Sequence, residues 1–224
     1  AFARKYPHSM GEWSPASRTH VAHMRGGDFY SSEQSVTLDK ATKVNIVFEN
    51  KQGKQTVLKS DLPLQEGEVL DGMFMSKKAL VKFFEDAIAD CENTGVMFSL
   101  HVKATMMKIS HPIVFGHAVK VFYKDLFDKY GELFDEIGVN PNNGLSSVVE
   151  KIKQLPESKQ EQIQEDLHAC YEHRPEIAMV DSVKGITNLH VPSDVIVDAS
   201  MPAMIRNSGK MWARDNKLKD TKAV

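Results

Sequence analysis

The chain has 224 residues, 28 Lys and Arg against 30 Asp and Glu for a net charge of −2, and 42% apolar residues. With its 13 Gly the apolar share is about 48%, enough to bury a real core and too much for disorder over most of the length. No apolar run nears the roughly 20 residues of a membrane span, and the basic residues are interspersed with acids, so neither a membrane nor nucleic acid is expected as a partner.

In chain order, residues 1–35 read as loop, punctuated by Pro7, Gly11, Pro15 and Gly26-Gly27. Residues 43–49 alternate with period two, turn at Asn50-Lys51-Gln52-Gly53 and resume over 55–59, which predicts a β-hairpin. Ser76 is a predicted helix N-cap, because Leu80, Phe83, Phe84, Ala87 and Ile88 recur behind it at helical spacing as far as Gly95. Residues 96–102 form a short, nearly continuous apolar run, the pattern of a buried parallel strand. A second helix is predicted after Pro112, with Phe115, Val119, Phe122 and Phe127 on one side. Residues 150–155 and 158–171 read as further helices separated by Pro156, and 177–180 as another buried strand. Val195-Ile196-Val197 is a third, ending at Asp198-Ala199-Ser200, with Pro202 in the first turn of the next helix.

The expected fold class is therefore α/β: a mixed, largely parallel sheet flanked by helices, with an antiparallel hairpin region in the N-terminal third. Residues 1–75 are expected to be loop and antiparallel strands, and 76–224 the α/β core. Cys91 and Cys170 lie far apart with no CxxC, which fits a reducing compartment and excludes a disulfide scaffold. The chain opens at Ala1 without Met and closes at Val224 without a polar tail, as expected of a piece of a longer protein.

Two positions could carry chemistry. Lys103 leaves the carboxyl end of the predicted strand 96–102, where open α/β sheets place ligand crevices, and a partly desolvated lysine can act as acid or base or hold an anion. Position alone still favours the plain alternative, a stem crossing the core edge with its ammonium in water. Asp198 sits at a strand-to-helix junction, where a carboxylate can bind Mg²⁺ or Mn²⁺; equally, Asp198 or Ser200 could simply cap the helix, and Asp194 shares that ambiguity. A zinc site is poorly supported: His20-Val21-Ala22-His23, and His111 with His117, lack the spacing and the Cys or Glu partners. No GxGxxG, GxxxxGK[ST] or GxSxG occurs, and the pair Met106-Met107 reads as core filler. By these residues alone, a stand-alone, non-catalytic α/β binding module is the simpler reading.

Three stretches go further. His101-Val102-Lys103-Ala104-Thr105-Met106-Met107-Lys108-Ile109-Ser110 is one, residues 184–206 around Val195-Ile196-Val197-Asp198-Ala199-Ser200 are the second, and Ser208-Gly209-Lys210-Met211-Trp212 is the third. Together with Pro7-His8-Ser9-Met10-Gly11 and Val21-Ala22-His23-Met24, they resemble the monomeric type of NADP-dependent isocitrate dehydrogenase, and the resemblance runs over the whole chain. It implies an internal segment of the large domain of a longer, cytoplasmic chain that works as a monomer. It further implies an enzyme of the tricarboxylic acid cycle, beside the glyoxylate bypass, with isocitrate as substrate and NADP and Mg²⁺ or Mn²⁺ as cofactors. Lys103 matches the family's catalytic lysine, active in proton transfer around the β-keto intermediate, and Asp198 its metal-binding aspartate. The family's isocitrate-binding serine, asparagine and arginines would precede Ala1. Its catalytic tyrosine, two further metal aspartates and most of the NADP pocket would follow Val224. The remainder of the parent chain is thus the implied partner, and the segment is expected to be inactive by itself. One departure is Ser110-His111-Pro112, where the family usually reads Ser-Asp-Pro; that aspartate is not one of the catalytic group.

Overall fold

The computed structural model describes residues 2–7, 9–103 and 109–224. After helix α1 (Phe2–Lys5) and strand β1 (His20–Val21), the chain enters a separate compact unit, Arg25–Ser76; the rest, Ala1–Met24 with Lys77–Val224, forms the other. In the smaller unit a short helix α2 (Phe29–Ser32) leads into four strands, β2 (Gln34–Thr37), β3 (Thr42–Glu49), β4 (Gln55–Leu64) and β5 (Val69–Gly72). The β3–β4 hairpin is nested inside the antiparallel β2–β5 pair, so the strands form one long ribbon. Its tip is built from turn chemistry. The Asn50 side-chain oxygen accepts from the Gln52 and Lys54 amides at 2.9 and 3.0 Å, and Gly53 takes a left-handed φ of 76°. No residue of 25–76 is buried.

The larger unit begins with α3 (Lys77–Thr94), which directly follows Ser76 and buries Leu80, Phe84, Ala87, Ile88 and Cys91, a stripe at helical spacing. Then come β6 (Met97–Ser99), α4 (Ser110–Phe122), α5 (Lys124–Glu136), α6 (Leu145–Lys151) and α7 (Glu157–Glu172). The chain closes with β7 (Met179–Asp181), β8 (Ile186–Thr187), a 3₁₀ turn at Pro192–Val195, α8 (Val197–Arg206), β9 (Lys210–Trp212) and β10 (Leu218–Ala223). Strand β10 is central in the main sheet, parallel to β1 on one side and to β6 on the other, with β9 antiparallel to it. Beyond β6 the described residues extend the sheet as single parallel bridges, Phe98 to Ile177 and Val102 to Ile196. The helices cover this sheet with a core that includes Phe84, Phe98, Phe115, Phe122 and Phe134, all with 2% exposure or less; burying each such ring contributes about 1.5–3 kcal/mol. The mixed, largely parallel sheet with flanking helices is thus present, as is the antiparallel hairpin region.

Several boundaries differ from the expectation. The run 96–102 yields only three strand residues before the chain leaves regular pairing, and 177–180 splits into the Ile177 bridge and β7. Val195-Ile196-Val197 is not a strand. Pro192 starts a 3₁₀ turn that takes Val195, Val197 already opens α8, and Ile196 alone pairs as β. Pro202 lies inside α8 rather than in its first turn, so it gives no amide hydrogen to the Asp198 carbonyl. The helix expected after Pro112 begins at Ser110, where proline in the first turn costs no hydrogen bond, and it is broken at Tyr123 (φ −100°, ψ 35°). The buried Tyr123 ring then meets Tyr171, hydroxyl to hydroxyl, at 2.9 Å. Cys91 and Cys170 are free thiols, both buried.

Candidate functional site

The Val102–Ile196 bridge brings together the segment of His101 and Lys103 and that of Asp198 and Ser200. Val102 donates its amide to the Val195 carbonyl at 2.9 Å and accepts the Val197 amide at 2.9 Å. The second bond matters for α8, because the first amide of a helix has no acceptor within the helix. The strand supplies one. Further along the same segments, the Lys103 ammonium donates to the Asp198 carboxylate. The Lys103 side chain is 33% exposed and that of Asp198 54%, so the pair lies open to solvent on one side. Asp198 occupies the second position of α8, where the helix dipole favours a negative charge. It is not the N-cap, a position held by Ile196 without a side-chain cap.

His101, the residue before Val102, belongs to a polar cluster that sequence reasoning missed. His101 Nδ1 is 2.8 Å from Ser200 Oγ, and its Nε2 is 2.9 Å from Ser99 Oγ. Ser99 Oγ also accepts from Asn188 Nδ2 at 2.9 Å, while the buried Asn188 Oδ1 has no partner among the described residues. Burial pushes the His101 imidazole down to about 4, so it is neutral near pH 7. His101, Asn188 and Ser200 line a cavity of about 240 Å³ together with Asp194, Met211 and Trp212. A signal for the cluster was available in the spacing: His101 precedes Lys103 by two residues, and Ser200 follows Asp198 by two.

Asp194 is placed apart from Asp198, in the 3₁₀ turn, where burial raises its pKa and nearby His190 partly offsets the rise. Ala104-Thr105-Met106-Met107-Lys108 lie outside the described residues. At the family's Ser-Asp-Pro position, His111 is the second residue of α4; its Nδ1 is buried without a described partner, and burial lowers its pKa. Neither His20 with His23 nor His111 with His117 forms part of a metal cluster: no group of three His, Cys, Asp or Glu among the described residues could hold an ion.

The family model for monomeric isocitrate dehydrogenase matches residues 1–224. The chain belongs to the monomeric isocitrate dehydrogenase family. It is 67% identical over its whole length to isocitrate dehydrogenase [NADP] 2 of Mycobacterium tuberculosis (strain ATCC 25618 / H37Rv) and 63% identical to the protein of that name in Psychrobacter sp. (strain 13A). Isocitrate dehydrogenase [NADP] of Azotobacter vinelandii is 54% identical, again over the whole chain. In each case the chain spans about 30% of the relative's length.

Proposed function

We propose that the chain is a segment of the large domain of a cytoplasmic NADP-dependent isocitrate dehydrogenase, which oxidises and decarboxylates isocitrate to 2-oxoglutarate and CO₂. In this reading Lys103 is the catalytic lysine and Asp198 a metal ligand. The observation that carries it is the meeting of those two side chains across the Val102–Ile196 bridge, although they lie 95 residues apart.

Oxidation of a 2-hydroxy acid releases a hydride and a proton, and loss of CO₂ from the 3-position then leaves an enolate that must be reprotonated. The Lys103 ammonium suits the second half, where it stabilises the enolate's negative charge and can deliver a proton to its carbon; the hydride and proton of the first half would pass to NADP and to solvent. Asp198 offers hard carboxylate oxygens, the donor type that Mg²⁺ and Mn²⁺ prefer. Bound there, the ion would polarise the substrate's hydroxyl and later keto oxygen. One carboxylate fits such an ion but supplies one of about six ligands. The rest would come from the substrate, water and the remainder of the parent chain, which would also provide the NADP pocket. Meanwhile Lys103 compensates the Asp198 charge and keeps the carboxylate oriented. No described helix is long and apolar enough to cross a membrane.

The test uses the full-length protein with isocitrate, NADP and Mn²⁺. Lys103→Met is expected to lower kcat far more than it raises KM, as loss of a proton donor does. The 224-residue chain alone is expected to show no turnover. Full kcat in the variant, or turnover by the chain alone, would overturn the reading.

A further inference from the structure

We propose that His101 is a positioning residue for this site: as the neutral Nδ1–H tautomer, it locks the segment carrying Lys103 to the helix carrying Asp198. This rests on the proposed roles of Lys103 and Asp198.

The hydrogen-bond partners leave each proton one place. Ser200 Oγ lies 3.0 Å from the Ile196 carbonyl, which can only accept, so the Ser200 hydroxyl proton is committed there. Ser200 must then receive a proton from His101 Nδ1. At the other end, Asn188 Nδ2 faces the Leu100 carbonyl at 3.2 Å, which fixes the amide's orientation and makes it the donor to Ser99 Oγ. Ser99 is fully buried, and its own proton has His101 Nε2 as acceptor. Donation therefore runs one way, from Asn188 through Ser99, His101 and Ser200 to Ile196. An imidazolium would need Ser99 as an acceptor and would strand its proton, so burial and network both hold the ring neutral.

The geometric consequence follows from the bridge. The backbone bonds at Val102 fix one point between strand and helix, and a single point permits rotation. The side-chain ties His101–Ser200 and Lys103–Asp198 start from either neighbour of Val102 and reach the first turn of α8 in reversed order, which gives two further points of attachment. When substrate or metal draws Lys103 or Asp198 away from each other, the His101 tie remains and keeps the first turn of α8 in register.

The experiment compares His101→Leu, His101→Gln and His101→Asn in the full-length protein, alongside Lys103→Met. Asparagine can place an amide donor where Nδ1–H stands, whereas glutamine reaches towards Ser99 instead. Leu and Gln are expected to lower kcat by about 10- to 100-fold, as loss of an orienting partner does, with a much smaller change in the KM for isocitrate. Asn is expected to recover most of the loss. Independently, ¹⁵N NMR of the wild-type imidazole is expected to show protonated Nδ1 and bare Nε2 near pH 7. An Nε2–H tautomer, or His101→Leu with unchanged kcat while Lys103→Met is inactive, would overturn this proposal alone. Full activity in Lys103→Met would instead bring down the site reading beneath it.

Discussion

In the larger unit Phe98 and Phe122 have no exposed surface and stack with ring centroids 5.9 Å apart, whereas in the ribbon of residues 25–76 Phe48 is 55% exposed and Leu58 65%. Both regions have apolar residues in regular patterns, yet one pattern ends in a core and the other does not. The difference is one of layers. The sheet around β10 has α3 to α8 to bury its apolar side chains, while within its own unit the ribbon has only the four-residue α2 besides its strands. Its order comes from backbone ladders and from the Asn50–Gly53 turn rather than from apolar burial. Lys103, Asp198 and His101 all belong to the unit with the core, where packed elements can hold a geometry.

This contrast can be broken at either end. The largest effect is expected for Phe122→Ala, at about 3–5 kcal/mol of unfolding free energy from lost burial and the cavity left behind. Urea unfolding of the chain measures it, and a loss under about 1 kcal/mol would mean that the Phe98–Phe122 contact is not core. Acid comes next. His101 has its pKa lowered to about 4 in the fold against 6.5 for an ordinary imidazole, so the unfolded chain binds a proton that the folded chain refuses. His101's contribution is then complete above about pH 6.5 and is lost as pH falls towards 4, about 3 kcal/mol from this group; His101→Asn is expected to reduce the slope by that share. In the ribbon, Gly53→Ala is expected to cost about 1 kcal/mol, because φ there is 76°, and local hydrogen exchange at the β3–β4 tip should report it. Phe48→Ala should be smallest, within about 0.5 kcal/mol; a larger loss would show that its face is covered in solution.

How much of this the sequence reveals depends on whether the information is local. Helix α3 is legible from Ser76 and the stripe Leu80, Phe84, Ala87, Ile88, and the hairpin from Asn50 to Gly53, because propensity, period and turn agree. Strand β10 goes unread because Lys219, Asp220 and Lys222 give it the look of a polar loop. Their partners are remote in sequence: Lys222 reaches Asp90 at 2.5 Å, Lys219 reaches Glu176 at 2.8 Å, and Asp220 accepts the Arg18 amide at 3.0 Å. The strand misread at 195–197 has the reverse cause, since three β-branched residues are divided between a 3₁₀ turn and a helix start by Pro192 and by the Val197 bond to Val102. Position marks Lys103 and Asp198 as candidates, and only the resemblance gives them roles. His101 and Ser200 lie beside them in the same quoted stretches and become meaningful only once Val102 is paired with Ile196.

As proposed, Asp198, held opposite Lys103, is one ligand of a metal site completed outside this chain, a role open to direct measurement. It is tested most directly by titrating Mn²⁺ into the full-length protein, its Asp198→Asn variant and the 224-residue chain alone. The account predicts that Asp198→Asn weakens Mn²⁺ binding by at least about tenfold, or about 1.4 kcal/mol. It also predicts that the chain alone binds no tighter than about millimolar, about 4 kcal/mol. Equal affinity in the variant and the wild type, or micromolar binding by the chain alone that Asp198→Asn abolishes, would contradict it.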